Sequence, residues 1–510
     1  MPSPGSVPTA ADESERKYAT SADRPVPDLR GLPGTETIDV DRVELSAQYH
    51  DTADLRLLRS GITLRRREGG DDAGWHLKLP AGQDTRTELH FPLGSGTENV
   101  PDELAGLLRG IRRDAPLTLA ALLTTNRERH RLRTADGDLV AEIVVDDVVA
   151  VRGPDAGEIT WREIEIEWNP ERGGKKVARF LEAVESRFEA AGITRADSPS
   201  KLHRALGDLV PGTPRLPKGL AAVHDYLAGE LRTLALADVA VRRDEADSVH
   251  SMRKAARRLR SALQTYAGRI PADHDLVDEL RWLGRRLSAS RDLEVQWERL
   301  AGRVEQIPLE AHREATRARI DEYFSARSEA ARTEVLDTLD SARYLDLLRR
   351  LDAAVAGLES TPGKGTGPRK VASKDLTRAV EKVAEKVGRR VAKVGAATDP
   401  ARRDEAIHRV RKGAKRLRYA TEAIAPLHPG EVEGILDRFD AFQDLLGEFQ
   451  DSVVARGHLL DMVSEQGHTA ETSFGLGILF HLEAGIGEQL AGQLDGAWKK
   501  TLRATRGLWS

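Results

Sequence analysis

The sequence predicts a multidomain α+β protein, with a strand-rich N-terminal region and an all-α C-terminal region. Three observations predict it. Apolar residues alternate with period two at several places before residue 210, as in Trp161 to Trp168, WREIEIEW. Beyond residue 219 they recur at helical spacing, with almost no strand signal. A basic motif in the helical region occurs twice, which makes that region a pair of related helical bundles.

The chain has 510 residues, about three domains' worth, and ample length for real cores. It has no cysteine. Disulfides, thiol nucleophiles, iron–sulfur clusters and cysteine zinc sites are therefore excluded. With 78 Lys+Arg against 82 Asp+Glu, the net charge of −4 argues against a globally basic nucleic-acid binder but is silent on local patches.

Taken in order, residues 1–10 (MPSPGSVPTA) read as a disordered tail without a basic start or an apolar segment. The apolar stretch Phe474 to Phe480 is too short to span a bilayer. A soluble, cytoplasmic protein with no membrane partner is the expectation. Residues 11–210 form the first domain. Leu57 to Arg67, Gly74 to Leu79, Thr85 to Phe91, Val140 to Val149 and Trp161 to Trp168 read as strands. Asp136-Gly137 signals a hairpin. Asp102 to Leu108 and Lys175 to Ala191 read as helices.

The Pro/Gly-rich stretch VPGTPRLPKG places a linker at 211–218, and TPGKGTGP places another at 361–369. Between and after them lie the repeats 219–360 and 370–510. Helices are expected near 220–237, 246–267, 275–288, 291–304, 309–335 and 342–358, then 371–395, 402–424, 431–447, 450–465 and 473–505, the last one broken.

Residues i and i+2 of a strand share a face. That rule groups Glu13, Glu15 and Lys17. It also pairs Arg65 with Arg67, His76 with Lys78, Arg86 with Glu88, and Arg127 with Arg129. Glu142 and Asp146 share a face, as do Glu163, Glu165 and Glu167. A half-buried sheet normally shows a polar face to water. Here the charge is sorted by type, with carboxylates on some strands and Arg or Lys on others. An inward-facing polar surface in a closed barrel explains the sorting. Carboxylates suit a hard divalent cation, and Arg and Lys suit a chain of phosphates. His50 and His76 read as structural. The isolated Gly69-Gly70 is no phosphate-cradling loop.

Glu13-Ser14-Glu15-Arg16-Lys17 fits the ExExK signature of the CYTH family of triphosphate tunnel metalloenzymes. The resemblance continues through YHDT (49–52), GITLRRR (61–67), WHLKLP (75–80), RTE (86–88), NRERH (126–130), AEIVVDD (141–147), EIEIE (163–167) and SKLHRAL (200–206). It implies an eight-stranded antiparallel barrel enclosing a charged tunnel. It also implies metal binding by Glu13, Glu15, Glu163 and Glu165, with Mg²⁺ or Mn²⁺ as cofactor. Phosphates would meet Lys17, Arg65, Arg67, Lys78, Arg86, Arg127, Arg129 and Lys201. Glu13, Glu15, Lys17, Glu163 and Glu165 would be the catalytic set. Glu88, Glu142, Asp146 and Glu167 are further tunnel-wall candidates. The implied activity is hydrolysis of inorganic triphosphate. Thiamine or nucleoside triphosphatase, adenylate cyclase and a non-catalytic polyphosphate-binding scaffold are the alternatives.

Val249 begins VHSMRKAARRLR, and 158 residues on Ile407 begins IHRVRKGAKRLR. At 100° per residue His250, Arg253, Lys254 and Arg257 gather on one side, flanked by Arg258 and Arg260. His408, Arg411, Lys412 and Lys415 do the same, flanked by Arg416 and Arg418. Neither window contains an acid. These windows resemble the CHAD family, a pair of pseudo-symmetric helical bundles that bind inorganic polyphosphate. RDLEV (291–295) fits the family's first-repeat motif, whereas QDSVV (450–454) places Gln450 opposite Arg291. The resemblance implies polyphosphate as partner, contacted by the histidines and the basic set including Arg260, Arg291 and Arg418. It adds polyphosphate granules as a place of association. Nucleic acid is disfavoured, because the basic helices carry few aromatics and no base-reading motif. Tyr266 and Tyr419 are expected to pack. No protein partner is indicated.

Overall fold

The computed structural model describes residues 9–505, apart from 22, 83, 94–98, 154–156, 169–173, 213, 271–274, 361–370, 398 and 466. The expected second linker lies outside the described residues. The chain divides into two compact units, Met1–Thr213 and Pro214–Ser510.

The first unit is an eight-stranded antiparallel barrel. Its strands are β1 (Thr9–Thr20), β2 (Thr37–Asp51), β3 (Thr63–Glu68), β4 (Gly74–Pro80), β5 (Thr85–Pro92), β6 (Thr118–Arg133), β7 (Leu139–Arg152) and β8 (Glu158–Trp168). They run in the order β5-β4-β3-β2-β6-β7-β8-β1, and a β1–β5 pairing closes the ring. A two-residue strand, β9 (Thr194–Arg195), edges β1. β1 begins at Thr9, two residues inside the expected tail.

The period-two pattern sorts side chains between outside and inside. Outward-facing Tyr18, Ile143, Val145, Ile164 and Ile166 pack against Phe180, Leu181, Val184 and Phe188. Those four lie on the covering helix Lys175–Ala190. Burying each such side chain stabilises the unit by roughly 1.5–3 kcal/mol. The barrel is thus apolar outside, under a helix, and charged inside.

The interior itself is zoned. At one end Ala47, Tyr49, Ala121, Leu123, Val148 and Ala150 form an apolar core with Leu202, Ala205 and Leu206. The last three belong to a short helix, Lys201–Leu206, whose Ser200 side chain caps it by accepting from the His203 amide at 3.0 Å. That helix closes this end of the barrel and sets Lys201 against the charged middle.

One expected strand is partly a helix. Leu57 to Arg67 divides into a helical turn, Arg56–Arg59, and β3. The buried Asp51 carboxylate accepts from the amides of Thr52 (2.7 Å), Leu57 (2.9 Å) and Leu58 (2.9 Å), which fixes the turn. Leu57 and Leu58 are buried beneath it.

The described helices of the second unit are α1 (Lys218–Arg242), α2 (Ser248–Thr265), α3 (Asp275–Arg286), α4 (Ser288–Arg303), α5 (Glu310–Asp340), α6 (Ala342–Ser360), α7 (Ser373–Gly395), α8 (Pro400–Ile424), α9 (Glu433–Ser464) and α10 (Ala470–Ala504). α1 starts within the expected first linker. The repeat is visible in this order. α7 answers to α1 and α8 to α2. α9 answers to α3 and α4 joined, and α10 to α5. Apolar residues from both repeats merge in one core, which includes Leu259 and Met252 of α2, Leu417 and Val410 of α8, and Phe442 of α9.

Two expected helix breaks are absent. Residues 431–447 and 450–465 form the single helix α9, and 473–505 lies in the unbroken α10. Two glycines in α10, Gly475 and Gly487, serve close packing. A Cβ at Gly475 would fall 1.9 Å from Thr316 Oγ1, and one at Gly487 would fall 3.1 Å from Ser452 Oγ. Glycine's cost in a helix, about 1 kcal/mol, is offset by that approach. No helix among the described residues is long and apolar enough to cross a membrane.

Candidate functional site

The charged middle of the barrel is one cavity. Glu13, Glu15 and Lys17 enter it from β1, Arg65 and Arg67 from β3, Lys78 from β4, and Arg86 and Glu88 from β5. Arg127 and Arg129 come from β6, Glu142 from β7, Glu165 and Glu167 from β8, and Lys201 from the closing helix. The antiparallel register brings them together. Lys17 lies opposite Glu165, Glu13 opposite Arg86, and Lys78 opposite Glu88. Glu163 is the one member of the expected set outside the cavity lining; it is buried at the closed end beside Lys201.

At the closed end three acids share two cations. Lys201 Nζ lies 2.9 Å from Asp146, 2.8 Å from Glu163 and 2.8 Å from Glu165. Arg127 donates twice to Asp146, both at 2.8 Å, and once to Glu165 at 3.0 Å. Burial opposes ionisation of Glu165, but Lys17, Lys201 and Arg127 outweigh it and hold the carboxyl well below its ordinary value. Lys17 and Lys201 are raised despite burial, because these carboxylates face them.

Higher in the cavity the acids are less well compensated. Burial and the neighbouring Glu88 push Glu13 up to about 7, although Lys78 opposes the rise. Burial also raises Glu167, against the pull of Arg127, and Glu165 adds to the rise. Glu15 and Glu142 both stand directly opposite Glu167 in the ladders, an unfavourable like-charge arrangement.

The expected metal set of Glu13, Glu15, Glu163 and Glu165 does not converge as a quartet. Carboxylate oxygens gather instead as Glu15–Glu165–Glu167 and as Asp146–Glu163–Glu165, within 4.8 Å in each group. Lys201 and Arg127 already engage the second group. The first has crowded acids, one of them pushed toward its neutral form, and it opens on the cavity. Its hard oxygen donors fit a divalent cation. Glu13 stands apart, within ion-pair reach of Lys78.

The remaining expected residues fall along the walls. Arg86 reaches Glu15 at 3.4 Å and the Pro199 carbonyl at 2.9 Å. Arg65 lies 3.7 Å from Glu88 and 3.4 Å from the Tyr49 hydroxyl. Burial, with Arg65 and Arg127 close by, lowers Arg67 to about 9. His76 is structural, as expected. It is buried between Glu88 (2.7 Å) and the Asp72 carbonyl (2.9 Å). Sequence reasoning missed Arg131, next on the Arg127–Arg129 face, and three acids that meet these arginines. Arg131 lies 2.9 Å from Glu142, and Asp41, Asp71 and Asp72 contact Arg129 or Arg67.

The second unit brings the two basic helices together across the repeat. Arg253 and Arg257 of α2 approach Arg411 and Lys415 of α8 closely enough for each to act on Lys415. Burial, followed by Arg257, Arg411 and Arg253, drives Lys415 down to about 6. Burial also lowers Arg411, and its Nε is buried without a hydrogen-bond partner among the described residues. Asp451 offsets this cluster in part, and Asp292 pairs with Arg253 at 3.0 Å. Lys254, Lys412 and His250 are exposed at its border.

Not every expected cation joins the cluster. Arg418 is held by Glu422 and Asp440, and Arg258 reaches Glu230 and Glu422, both at 3.0 Å. Arg416 donates to the Gln264 carbonyl at 2.8 Å. Arg258 and Arg416 tie the repeats to each other, whereas Arg418 is held within its own. Arg260 lies beside Arg257 and Arg281, and burial lowers it. Arg291 pairs with Asp247 and Glu294, both at 2.8 Å. His408 Nδ1 lies 2.6 Å from Gln450, the residue in Arg291's repeat position. Tyr266 and Tyr419 are buried, as expected.

Comparison with known proteins follows this division. A CYTH domain model matches residues 11–205 and a CHAD domain model matches residues 225–460. Two uncharacterised proteins of Mycobacterium tuberculosis, from strains CDC 1551 / Oshkosh and ATCC 25618 / H37Rv, are each 35% identical over 525 residues, spanning 99% of this chain and 99% of their own. The crystal structure of a CHAD domain from the plant Ricinus communis is 25% identical, covering 57% of this chain and 94% of its own at a TM-score of 0.46.

Proposed function

The chain belongs to a family of proteins in which a CYTH domain is followed by a CHAD domain, and from that premise we propose a divalent-metal-dependent inorganic triphosphatase whose helical half binds inorganic polyphosphate. The hydrolase reading is carried by the single cavity in which eleven of the twelve expected barrel residues meet, all but Glu163. The gathering of Arg253, Arg257 and Arg411 around Lys415, only partly offset by Asp451 and Asp292, carries the polyphosphate reading.

In this reading Glu15, Glu165 and Glu167 hold the metal, and Glu13, paired with Lys78, stands apart from them. When bound, Mg²⁺ or Mn²⁺ supplies neutralisation of phosphate charge and activation of water. The chain's own contribution is positional. Arg65, Arg67, Arg86 and Arg129 offer planar donor pairs to phosphate oxygens, and Lys17 and Lys78 act as point charges. Lys201 and Arg127 keep Glu165 ionised at the closed end. A triphosphate lying along the cavity would have one terminus near the acids and the other toward Arg129. Fixed donors of this kind stabilise charge that grows on the phosphate oxygens during transfer.

The test is a substrate panel. Purified protein is assayed for phosphate release from triphosphate, ATP and thiamine triphosphate, with Mg²⁺, Mn²⁺ or neither. Metal-dependent release from triphosphate is expected. No release from any of the three would sink the hydrolase reading, and cyclic AMP among the ATP products would redirect it to a cyclase. For the helical half, polyphosphate should outcompete single-stranded DNA of equal charge.

A further inference from the structure

Two ladders of arginine run outward along the cavity wall. On β3 the rungs are Arg65 and then Arg67; on β6 they are Arg127, Arg129 and Arg131. Each step of two residues advances about 7 Å. The inner rungs face the cavity's own fixed groups. Arg127 meets Asp146 and Glu165, and Arg65 meets Tyr49 and Glu88.

The outer rungs meet Asp41 of β2, which pairs with Arg129 and lies 3.6 Å from Arg131, Glu142 of β7, 2.9 Å from Arg131, and the hairpin between β3 and β4. Asp71 lies 3.1 Å from Arg129 and 3.8 Å from Arg131, and Asp72 contacts Arg67. Gly70, Asp71 and Asp72 line the cavity together with Arg65, Arg67, Arg127 and Arg129. The hairpin is held in place. Gly69 and Gly70 have φ of +82° and +75°, and a Cβ at Gly69 would fall 2.4 Å from the Glu44 carbonyl. His76 Nε2 holds the Asp72 carbonyl at 2.9 Å. The opposite end of the barrel is filled by the apolar core around Leu202 and Leu206. A phosphate chain seated against the acids at the closed end can therefore extend toward Asp71 and Asp72.

We propose that the β3–β4 hairpin is a chain-length gate, in which Asp71 and Asp72, standing at the outermost arginines that a triphosphate reaches, oppose the negative charge of a chain that extends past them. The inference rests on the proposed phosphate-binding role of the barrel. Its logic is repulsion of the wrong ligand rather than attraction of the right one. The Asp71 side chain is 82% exposed and that of Asp72 54%, so neither pair locks the fold, and both are open to an incoming chain.

The test compares tripolyphosphate with tetrapolyphosphate in wild type and in full-length protein carrying both Asp71→Asn and Asp72→Asn. Asparagine keeps the shape and the turn while removing the charge. The ratio of kcat/KM for the longer chain over the shorter should rise at least tenfold in the variant. A ratio within twofold of wild type overturns the gate. A gain for ATP without a gain for tetrapolyphosphate also overturns it. Wild type inert toward both chains would defeat the hydrolase reading separately. Equilibrium binding of the two chains is then compared, with and without the Asn pair, in protein whose Arg253, Arg257 and Arg411 are alanine. There an affinity ratio shifted tenfold supports the gate and an unchanged one overturns it.

Discussion

Arginine and lysine gather in both halves of this chain, and the two folds treat them in opposite ways. In the barrel, several basic strand positions face acids on the neighbouring strand. Lys17 stands opposite Glu165, and Arg127 opposite Asp146. Most of the cations are compensated there, Arg67 excepted, and Lys17 and Lys201 hold their protons more firmly than usual against the cost of burial. In the helical unit, the pseudo-symmetric approach of α2 and α8 sets like charges against one another, and Lys415 falls to about 6. Pairing across a ladder prepares a site for a metal and phosphates together. Crowding without enough acids prepares one for a polyanion alone. The net charge of −4 is an average over these two arrangements.

The largest effect should come from breaking one arrangement without touching the other. Glu165→Gln removes the charge that Lys17, Lys201 and Arg127 all face. Turnover of triphosphate should fall by about 10²–10³, the scale for losing one preorganised electrostatic group. Polyphosphate affinity should not move. Changing Arg253, Arg257, Arg411 and Lys415 together to alanine should do the reverse. Polyphosphate binding should weaken, and the slope of its logarithm against log salt should shrink by roughly 3, at about 0.7 per phosphate contact. Filter binding across a salt series, beside a phosphate-release assay, reads both. If either variant damages both activities equally, the two sites are not independent.

Much of this contrast was legible in the sequence, for a definite reason. A strand fixes side-chain direction by parity alone, so Glu163–Glu165–Glu167 and Arg127–Arg129 could be assigned to one face before any strand was paired. The helix face carrying Arg253 and Arg257 was legible in the same way. Pairing and register were not. Glu15, Glu165 and Glu167 converge because β1 and β8 align Glu15 with Glu167, so the expected metal quartet gave way to two groups of three. β2 was invisible, because charged Asp39, Asp41, Arg42 and Glu44 interrupt its alternation and its partner β6 lies far along the chain. The acids that capture Arg258 and Arg418 come from other helices or a turn beyond the motif, which no reading of the two basic windows reveals. The close packing at Gly475 in α10 was equally hidden, because its neighbour Thr316 is distant in sequence.

A smaller effect sharpens the comparison through pH. Lys415 titrates near 6 in the free protein, and a bound polyanion must raise that value. Binding therefore takes up a proton at pH 7. Polyphosphate affinity should be highest below about pH 6 and fall as pH rises, by at most tenfold per unit for one proton. Lys415→Arg, which stays charged, should flatten the profile. Calorimetry at pH 7 in buffers of different ionisation heat measures the uptake directly. A flat wild-type profile between pH 6 and 8 would mean that Lys415 is charged without a ligand.

The smallest effect concerns stability rather than binding. A lysine depressed in the folded state binds fewer protons than its unfolded counterpart between about 6 and the ordinary 10.5. The unfolded chain is thus favoured by acid in this window, and the stability of the free protein should rise with pH across it. Lys415→Met keeps the bulk of the side chain and removes the charge, so it should stabilise the ligand-free protein, by about 1–3 kcal/mol on the scale for replacing buried charge with apolar groups. The gain should be greatest near pH 6 and shrink toward pH 10. Adding polyphosphate should reverse the order, because only wild type recovers the cost through a bound anion. Thermal unfolding of both proteins at two pH values, with and without polyphosphate, tests each step. A methionine variant less stable than wild type in the absence of ligand would show that the groove is already compensated, and the contrast with the barrel would fail.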